Sequence, residues 1–381
     1  MNVPLLDLVG QYQTIKDEVL GALLRVAEHQ HFILGEEVAR LEVALAGLTE
    51  TAHAIGCASG TDALLLPLRT LELKPGDEVI VPAFTFFATA GTVHNTGGRP
   101  VFVDIDPATL NLTPEAVEAA ITPRTRAIVV VHLFGQMAPM EPILAIAAKH
   151  GLPVIEDAAQ AIGARQQIGG RWRQAGSLSY TGTLSFFPTK NLGGWGDGGM
   201  MLTQDTALAE RLRRLRTHGG AKQYHHDEVG YNSRLDTVQA AVLLAKLPHL
   251  AAWTAARQRV ARRYDEAFRG HPVIRPPVIA PGNDHIFHQY TIQVERRDEL
   301  VAHLKARGIG SAVYYPLGLH LQPCFAYLGN RPGSLPVTEA ATRSVVSLPV
   351  FPELTAAQQD AVIGAVREFY GEPVRPPIRR R

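Results

Sequence analysis

Cysteine is nearly absent: Cys57 and Cys324 are the only two in 381 residues, far apart and without partners at metal-ligand spacing. A disulfide framework or a structural zinc site is therefore not expected, and a reducing compartment suits the chain better. Charge of one sign is lacking too. The 37 Lys and Arg stand against 36 Asp and Glu, a formal net charge of +1. With no basic surplus to neutralise a run of phosphates, nucleic-acid binding is disfavoured. No stretch approaches the roughly 20 continuous apolar residues that span a bilayer. The first residues, MNVPLLDLVGQYQ, lack the basic segment and apolar run of an export signal. Internal repeats are not evident. What these gaps leave is a soluble cytoplasmic globular protein, and 46% hydrophobic with 19% charged residues agrees with that.

What the chain does have is alternation. From about residue 50 to 205, short apolar runs bounded by Gly, Pro or Asp take turns with helical stretches. Strands are expected at 78–81, 100–104, 127–132, 153–157, 183–187 and 199–203, most of them Val/Ile-rich as in strands buried on both faces. Between them, Thr113 is a helix N-cap ahead of Pro114, and a second helix over 139–150 closes at Gly151. This βαβα order predicts an α/β fold with a mainly parallel sheet and helices on both faces. Beyond about residue 250 the character changes. A helical stretch at 253–268 leads through a Pro-rich connection at 274–281 to a strand at 288–294. A last helix opens with the capping box Thr355-x-x-Gln358 and stops at Gly371. Two units are expected: a large one over 1–250, including an N-terminal helical segment, and a smaller α+β one over 251–381. The tail, EPVRPPIRRR, has no apolar periodicity and reads as a solvated end, with an anionic partner as the lesser alternative.

The chemistry gathers at the ends of the expected strands. In Thr183-Leu-Ser-Phe-Phe-Pro-Thr-Lys-Asn-Leu-Gly-Gly, a lysine follows a buried strand almost at once. Lysine is seldom placed there without a partner, and a desolvated amine has the lowered pKa that Schiff-base chemistry needs. A surface lysine in a turn is the competing reading of Lys190. Earlier, Pro153-Val-Ile-Glu-Asp-Ala-Ala-Gln ends a strand on an acid pair. In parallel α/β sheets ligands bind at the carboxyl ends of strands, which puts Asp157 in a cleft. There it suits a cofactor pyridine nitrogen, whose protonation makes the ring an electron sink, and Gln160 is placed to reach the ring hydroxyl. A helix N-cap aspartate is the plainer alternative.

Cys57-Ala-Ser-Gly-Thr-Asp-Ala-Leu-Leu-Leu runs from a small-residue turn into an apolar helix. Backbone N–H groups and hydroxyls at such a start form a phosphate cradle, although a simple Ser/Thr-capped helix explains the segment equally well. It lacks the lysine and spacing of a nucleotide P-loop. In Pro82-Ala-Phe-Thr-Phe-Phe-Ala-Thr, one aromatic is placed to stack on a planar ring while the others enter the core. The glycines of 193–199 follow a lysine and lead into a strand, so they fail the test of a dinucleotide loop and read as flexible backbone beside a cofactor. His218, His225 and His226 do not have the spacing of a helical or finger metal site. Cys57 has no base beside it that would make it a nucleophile.

In this order the motifs resemble the DegT/DnrJ/EryC1/StrS family of PLP-dependent sugar aminotransferases, of the aspartate-aminotransferase (type I) fold. The likeness runs from Phe32-Ile-Leu-Gly-Glu-Glu-Val to Ser347-Leu-Pro-Val-Phe-Pro. By it, Lys190 in SFFPTKNL is the Schiff-base lysine for pyridoxal 5'-phosphate, and Asp157 and Gln160 in EDAAQA meet the pyridine nitrogen and ring hydroxyl. Gly60 and Thr61 in SGTDAL, with Ser185, would hold the phosphate, and Phe86 in FTFFAT would stack on the ring. Asn232 in GYNSRLDTVQAA would reach the phosphate from a neighbouring subunit, implying a homodimer with a shared site. The implied substrates are L-glutamate and a nucleoside-diphosphate keto-sugar. The string from Tyr224 to Asp236 resembles members that aminate C3, with Arg234 on a substrate carboxylate or phosphate. Tyr315 and His320 are the remaining substrate contacts that the likeness implies. One departure stands out: many members read His-Tyr-Pro where this chain has Tyr314-Tyr315-Pro316. Amination at C4 is the alternative within the family. A sugar dehydratase of the same fold carries His in place of the lysine, so Lys190 argues against it, and a non-enzymatic regulator is the alternative of another class.

Overall fold

The computed structural model describes residues 2–222 and 224–371. Its centre is a seven-stranded sheet. The chain forms β1 (His53–Cys57), β2 (Glu78–Pro82), β3 (Arg99–Val103), β4 (Thr125–Val131) and β5 (Val154–Asp157). A hairpin of β6 (Arg165–Ile168) and β7 (Arg171–Gln174) precedes β8 (Thr181–Ser185) and β9 (Gly199–Thr203). The spatial order is β1-β9-β8-β5-β4-β2-β3. Strands β3, β2, β4, β5 and β8 pair in parallel, while β9 runs against both β8 and β1. The mainly parallel α/β sheet expected from the sequence is therefore present. Six strands end at one edge, and growth of the sheet switches direction at β2, with β3 on one side and β4 on the other. Such a switch point is where α/β sheets bind ligands.

Side-chain alternation explains why the strand runs are apolar throughout. Ile128 and Val130 of β4 pack into one core, while Ala127 and Val129 enter the core on the opposite face. In β2, Ile80 goes one way and Val79 and Val81 the other. Helices Glu36–Thr49, Met140–Lys149 and Thr237–Lys246 supply the first core, and Gly60–Thr70 and Ala88–Asn95 supply the second. Thr113 caps Pro114–Ala120 as expected, accepting from the N–H of Ala116.

A second body follows the helix Leu250–Phe268. Here β10 (Ile274–Arg275), β12 (Tyr290–Val294) and β13 (Val345–Leu348) form a small antiparallel sheet, while β11 (Asn283–Asp284) joins the hairpin β6–β7. Val260, Tyr264, Ile292, Leu300, Val346 and Val362 share one core there, and Val3 from the start of the chain enters it as well. The last helix, Ala356–Phe369, keeps both hydrogen bonds of the Thr355–Gln358 capping box. The Arg-rich tail lies outside the described residues. Among the described residues no helix is long and apolar enough to cross a membrane.

Candidate active site

A cavity of about 640 Å³ opens at the carboxyl edge of the large sheet. It is built by the turns after β1, β2, β5 and β8, with the segments around 288 and 314–322 as its remaining wall.

β1 leads into Ser59, the N-cap of Gly60–Thr70. Its hydroxyl accepts from the N–H of Asp62 at 3.1 Å and its carbonyl from that of Ala63 at 3.0 Å. No hydrogen bond among the described residues engages the N–H of Gly60 or Thr61. Two donors at the positive end of a helix are thus free at the cavity wall. At position 60 only glycine fits, because a Cβ would lie 2.5 Å from the Cβ of Ser185. This close approach sets the Ser185 hydroxyl beside the helix start, where hydroxyl and free N–H groups together could hold an anion.

At the end of β5 the pleat separates two adjacent acids. Glu156 is fully buried, where its carboxylate accepts from His132 Nε2 (2.9 Å), the N–H groups of Gly176 and Leu178 (both 2.8 Å) and the Ser179 hydroxyl (2.9 Å). Asp157 lines the cavity. It accepts from the Thr89 hydroxyl at 2.9 Å and the Ala159 N–H at 3.2 Å. Burial pushes its pKa up, against the pull of those bonds and of the Lys190 charge. A protonated ring nitrogen would supply the cation that this carboxylate is short of.

Gln160 is held at both ends of its amide. Its Oε1 accepts from the N–H of Phe134 at 2.8 Å, and its Nε2 donates to the Tyr315 hydroxyl at 3.1 Å. Burial raises the pKa of Tyr315, which keeps that phenol protonated. Phe86 is an exposed residue of the cavity lining, whereas Phe84 is buried. Phe87 does not enter the core as expected. It stays half-exposed and stacks on Phe325 with ring centroids 5.6 Å apart.

Lys190 lies in a turn closed by its own N–H to the Phe187 carbonyl (2.8 Å), on the same cavity as Asp157. Desolvation draws its pKa down to about 8, with Asp157 pulling the other way. The glycine loop after it is packed rather than loose: a Cβ on Gly199 would sit 2.2 Å from the Ser59 carbonyl oxygen.

Three expected site residues are not brought to this cavity. Asn232 and Arg234 line a separate surface depression with Ala58, Gly196 and Asp197, and of these only Asp197 also reaches the lysine cavity. His320 does not line the cavity either. Its ring is buried and its Nε2 meets Glu339 Oε1 at 3.3 Å, so Leu319 and Gln322 line the wall on either side of it. The 3₁₀ turn at Leu319–Leu321 directs that side chain towards the helix Pro336–Ser344 instead. Conversely, His288 lines the cavity and no motif announced it. It stands alone ahead of β12, and only its place in a buried apolar stretch sets it apart.

The parallel sheet, the lysine and aspartate at its strand ends and the helix-end cradle define a pyridoxal-phosphate enzyme of the aspartate-aminotransferase architecture. The donor set fits that cofactor: a cradle for phosphate, a buried acid for a basic ring nitrogen and an amine for an aldehyde. The DegT/DnrJ/EryC1/StrS aminotransferase family model matches residues 13–367. A pleiotropic regulatory protein of Geobacillus stearothermophilus is 51% identical over 97% of this chain and 99% of its own. The UDP-N-acetyl-3-dehydro-alpha-D-glucosamine 3-aminotransferase of Acidithiobacillus ferrooxidans is 49% identical over 96% and 97%. The crystal structure of DesV from Streptomyces venezuelae, in complex with a ketimine intermediate, has a TM-score of 0.94 at 45% identity, covering 98% of this chain and 99% of that one. The chain belongs to the DegT/DnrJ/EryC1/StrS aminotransferase family, and its cofactor is pyridoxal 5'-phosphate.

Proposed function

We propose that the protein moves the amino group of L-glutamate to C3 of a nucleoside-diphosphate-linked 3-keto sugar, either a UDP-2-acetamido-3-keto-hexuronate or a dTDP-3-keto-6-deoxyhexose, in amino-sugar biosynthesis. The observation that carries the chemistry is Lys190 and Asp157 on one cavity, beside the cradle of Gly60, Thr61 and Ser185. Action at C3 is supported by the A. ferrooxidans relative, whose name places its reaction there.

Bound pyridoxal phosphate supplies an electron sink, so that an amino group and a carbon-bound proton can be exchanged at one carbon. The chain's own residues do the rest. Asp157 keeps the ring nitrogen protonated, Gln160 presents its Nε2 to the ring hydroxyl, and Phe86 covers one ring face. Lys190 holds the cofactor covalently until a substrate amine displaces it. Its free Nζ then takes the α-proton of glutamate, and in the second half of the cycle it returns a proton to the sugar carbon. A pKa of about 8 matters for this. Roughly a tenth of such lysines are neutral at pH 7, against about one in three thousand at the ordinary value. Tyr315 borders the sugar end, and His320 has no part in this reading.

Two substrate features call for a second subunit. The diphosphate and the glutamate carboxylates are anionic, yet Lys190 is the sole Lys or Arg among the described residues lining the cavity. Arg234, with Asn232 beside it, lies on an outer surface. We therefore take the working form to be a cytoplasmic homodimer in which each protomer lends these two residues to its partner.

Adding L-glutamate to the holoenzyme should bleach its visible absorbance band, and UDP- or dTDP-linked 3-keto sugars should then restore it. Turnover of 4-keto but not 3-keto sugars would overturn the C3 assignment. A band indifferent to glutamate would favour the regulatory role named for the G. stearothermophilus relative.

A further inference from the structure

We propose that Thr89 is a positioning residue for Asp157: its hydroxyl fixes the carboxylate and keeps the proton shared with the cofactor's ring nitrogen on the ring side. The proposal rests on Asp157 being the partner of that nitrogen. Thr89 stands in the first turn of the helix Ala88–Asn95, fully buried, and its hydroxyl donates to Asp157 Oδ2 at 2.9 Å. A carboxylate oxygen only accepts, so the single hydroxyl proton is committed there. Thr85, a cavity-lining residue four positions earlier, has its own hydroxyl 3.3 Å from that of Thr89. At this second contact Thr85 is therefore the donor. The chain from Thr85 through Thr89 to Asp157 runs in one direction, and each link polarises the next.

The other threonines here show the ordinary, local use of such a hydroxyl. Thr92 donates to the Ala88 carbonyl at 2.8 Å and Thr96 to that of Thr92 at 3.0 Å, each back along its own helix. Thr89 instead reaches across to the end of β5, 68 positions away in sequence. The backbone N–H of Ala159, which can only donate, meets the other oxygen at 3.2 Å. Both oxygens are held, so the plane of the carboxylate is set by the protein alone.

A buried acid left to itself escapes its charge by keeping its proton. Burial pushes Asp157 that way. The Thr89 hydrogen bond is the foremost influence against it, ahead of the Ala159 N–H and the charges of Lys190 and His132. Tyr315 also feels the carboxyl, Asp197 and His288 line the same cavity, and Glu156 is turned into the core. Among the described residues, Thr89 is the one side chain that hydrogen-bonds to the Asp157 carboxyl. When a basic ring nitrogen meets this carboxyl, one proton lies between two bases. Stabilising the ionised carboxylate leaves that proton on nitrogen, and losing the Thr89 bond would draw it back towards Asp157.

The test compares Thr89→Val, which removes the hydroxyl at nearly unchanged shape, with Thr89→Ser, which keeps it. In cofactor-free protein carrying carbon-13-labelled aspartate, the Asp157 carboxyl signal is the one that vanishes in Asp157→Asn, and it is followed across pH. In Thr89→Val its protonation midpoint should rise by about one pH unit or more, the worth of one hydrogen bond to a charged group. In Thr89→Ser it should stay near wild type. An unchanged midpoint in Thr89→Val overturns the proposal, as does an equal rise in both variants, which would mark a packing effect. Thr89→Ala takes the place of Thr89→Val if melting shows that variant unfolded. The ring side is read in holoenzyme loaded with nitrogen-15-labelled pyridoxal phosphate. There the ring-nitrogen shift of Thr89→Val should move from the wild-type value towards that of Asp157→Asn, and a wild-type value would also overturn the proposal. Asp157→Asn checks the underlying reading separately. A ring nitrogen as protonated there as in wild type would refute Asp157 as its partner, and the carboxyl titration would still decide the Thr89 contact.

Discussion

Glu156 and Asp157 are chemically near-identical neighbours that the pleat of β5 sends to different work. Glu156 spends its carboxylate on four protein donors, whereas Asp157 keeps acceptor capacity facing the cavity. Asp157→Asn removes the charge that we propose keeps the ring nitrogen protonated but leaves the residues of the cradle in place. Turnover should fall by at least about 100-fold, since such preorganised charge supplies several kcal/mol, while cofactor occupancy read by absorbance changes little. Normal turnover would sink the role given to Asp157. At Gly60 the constraint is steric. Gly60→Ala must push Ser185 away from a Cβ 2.5 Å off, so cofactor affinity should drop about tenfold or more, a loss of one or two hydrogen bonds, in a protein that still folds. Equilibrium titration with pyridoxal phosphate measures it. For Lys190 the linkage has a definite sign. The unfolded chain holds the lysine proton up to its ordinary value, whereas the native site releases it near 8. Below 8 the native state therefore bears the cost of a buried ammonium, and stability is regained as pH rises between the two values. Lys190→Met should stabilise the cofactor-free protein at pH 7, with an advantage that shrinks by pH 10. Denaturant midpoints at the two pH values decide it.

At the scale of elements, Glu156 is what ties β5 to the turn ahead of β8. Glu156→Leu leaves His132 and two backbone N–H groups unpaired in the core. An expected loss of about 3–5 kcal/mol should appear in urea melts, and a loss under about 1 kcal/mol would mean that these donors find other partners. Sequence reading succeeded where structure is local. The Val-rich runs became β2 to β5, and the motifs that flank them became cavity wall because each is a contiguous turn at a strand end. It failed where pairing is remote. HAIGC in β1 has one β-branched residue, and its strand forms through pairing with β9. The hairpin β6–β7 did leave a signal in Gly169-Gly170, both at positive φ, which is the sequence mark of a tight hairpin turn. His288 gave none, since its partner Asn191 lies 97 positions away. His320 matched a motif and still turned elsewhere, because a motif fixes position and neighbouring packing fixes direction. We propose the division at about residue 250 as a domain boundary, supported by the separate core around Tyr264 and Ile292 and qualified by Val3 within that core.

For the whole molecule, the surface around Asn232 points to a second copy. Phe32, Ile33 and Leu34 are exposed, and they lie against the same segment: the Phe32 carbonyl accepts from the Thr237 N–H and Ile33 bridges Asp236. Three consecutive exposed apolar side chains beside an Asn and an Arg are the composition of an interface, and we propose this surface as the seam. In a homodimer the contact is isologous, so each site would combine Lys190 of one chain with Asn232 of the other. Two crippled proteins can test this together. On the shared-site proposal, Lys190→Ala should abolish turnover in its own homodimer, and Asn232→Ala should weaken phosphate binding in its own. In a mixed dimer the lysine of the Asn232→Ala chain meets the asparagine of the Lys190→Ala chain, which rebuilds one complete site, while the other site carries both lesions. After unfolding and refolding an equal mixture, half of the dimers are mixed and each holds one good site of two. Activity should then recover to about a quarter of wild type. If each site were built from a single chain, mixing would add nothing beyond the average of the two parents, and the shared-site reading would fall.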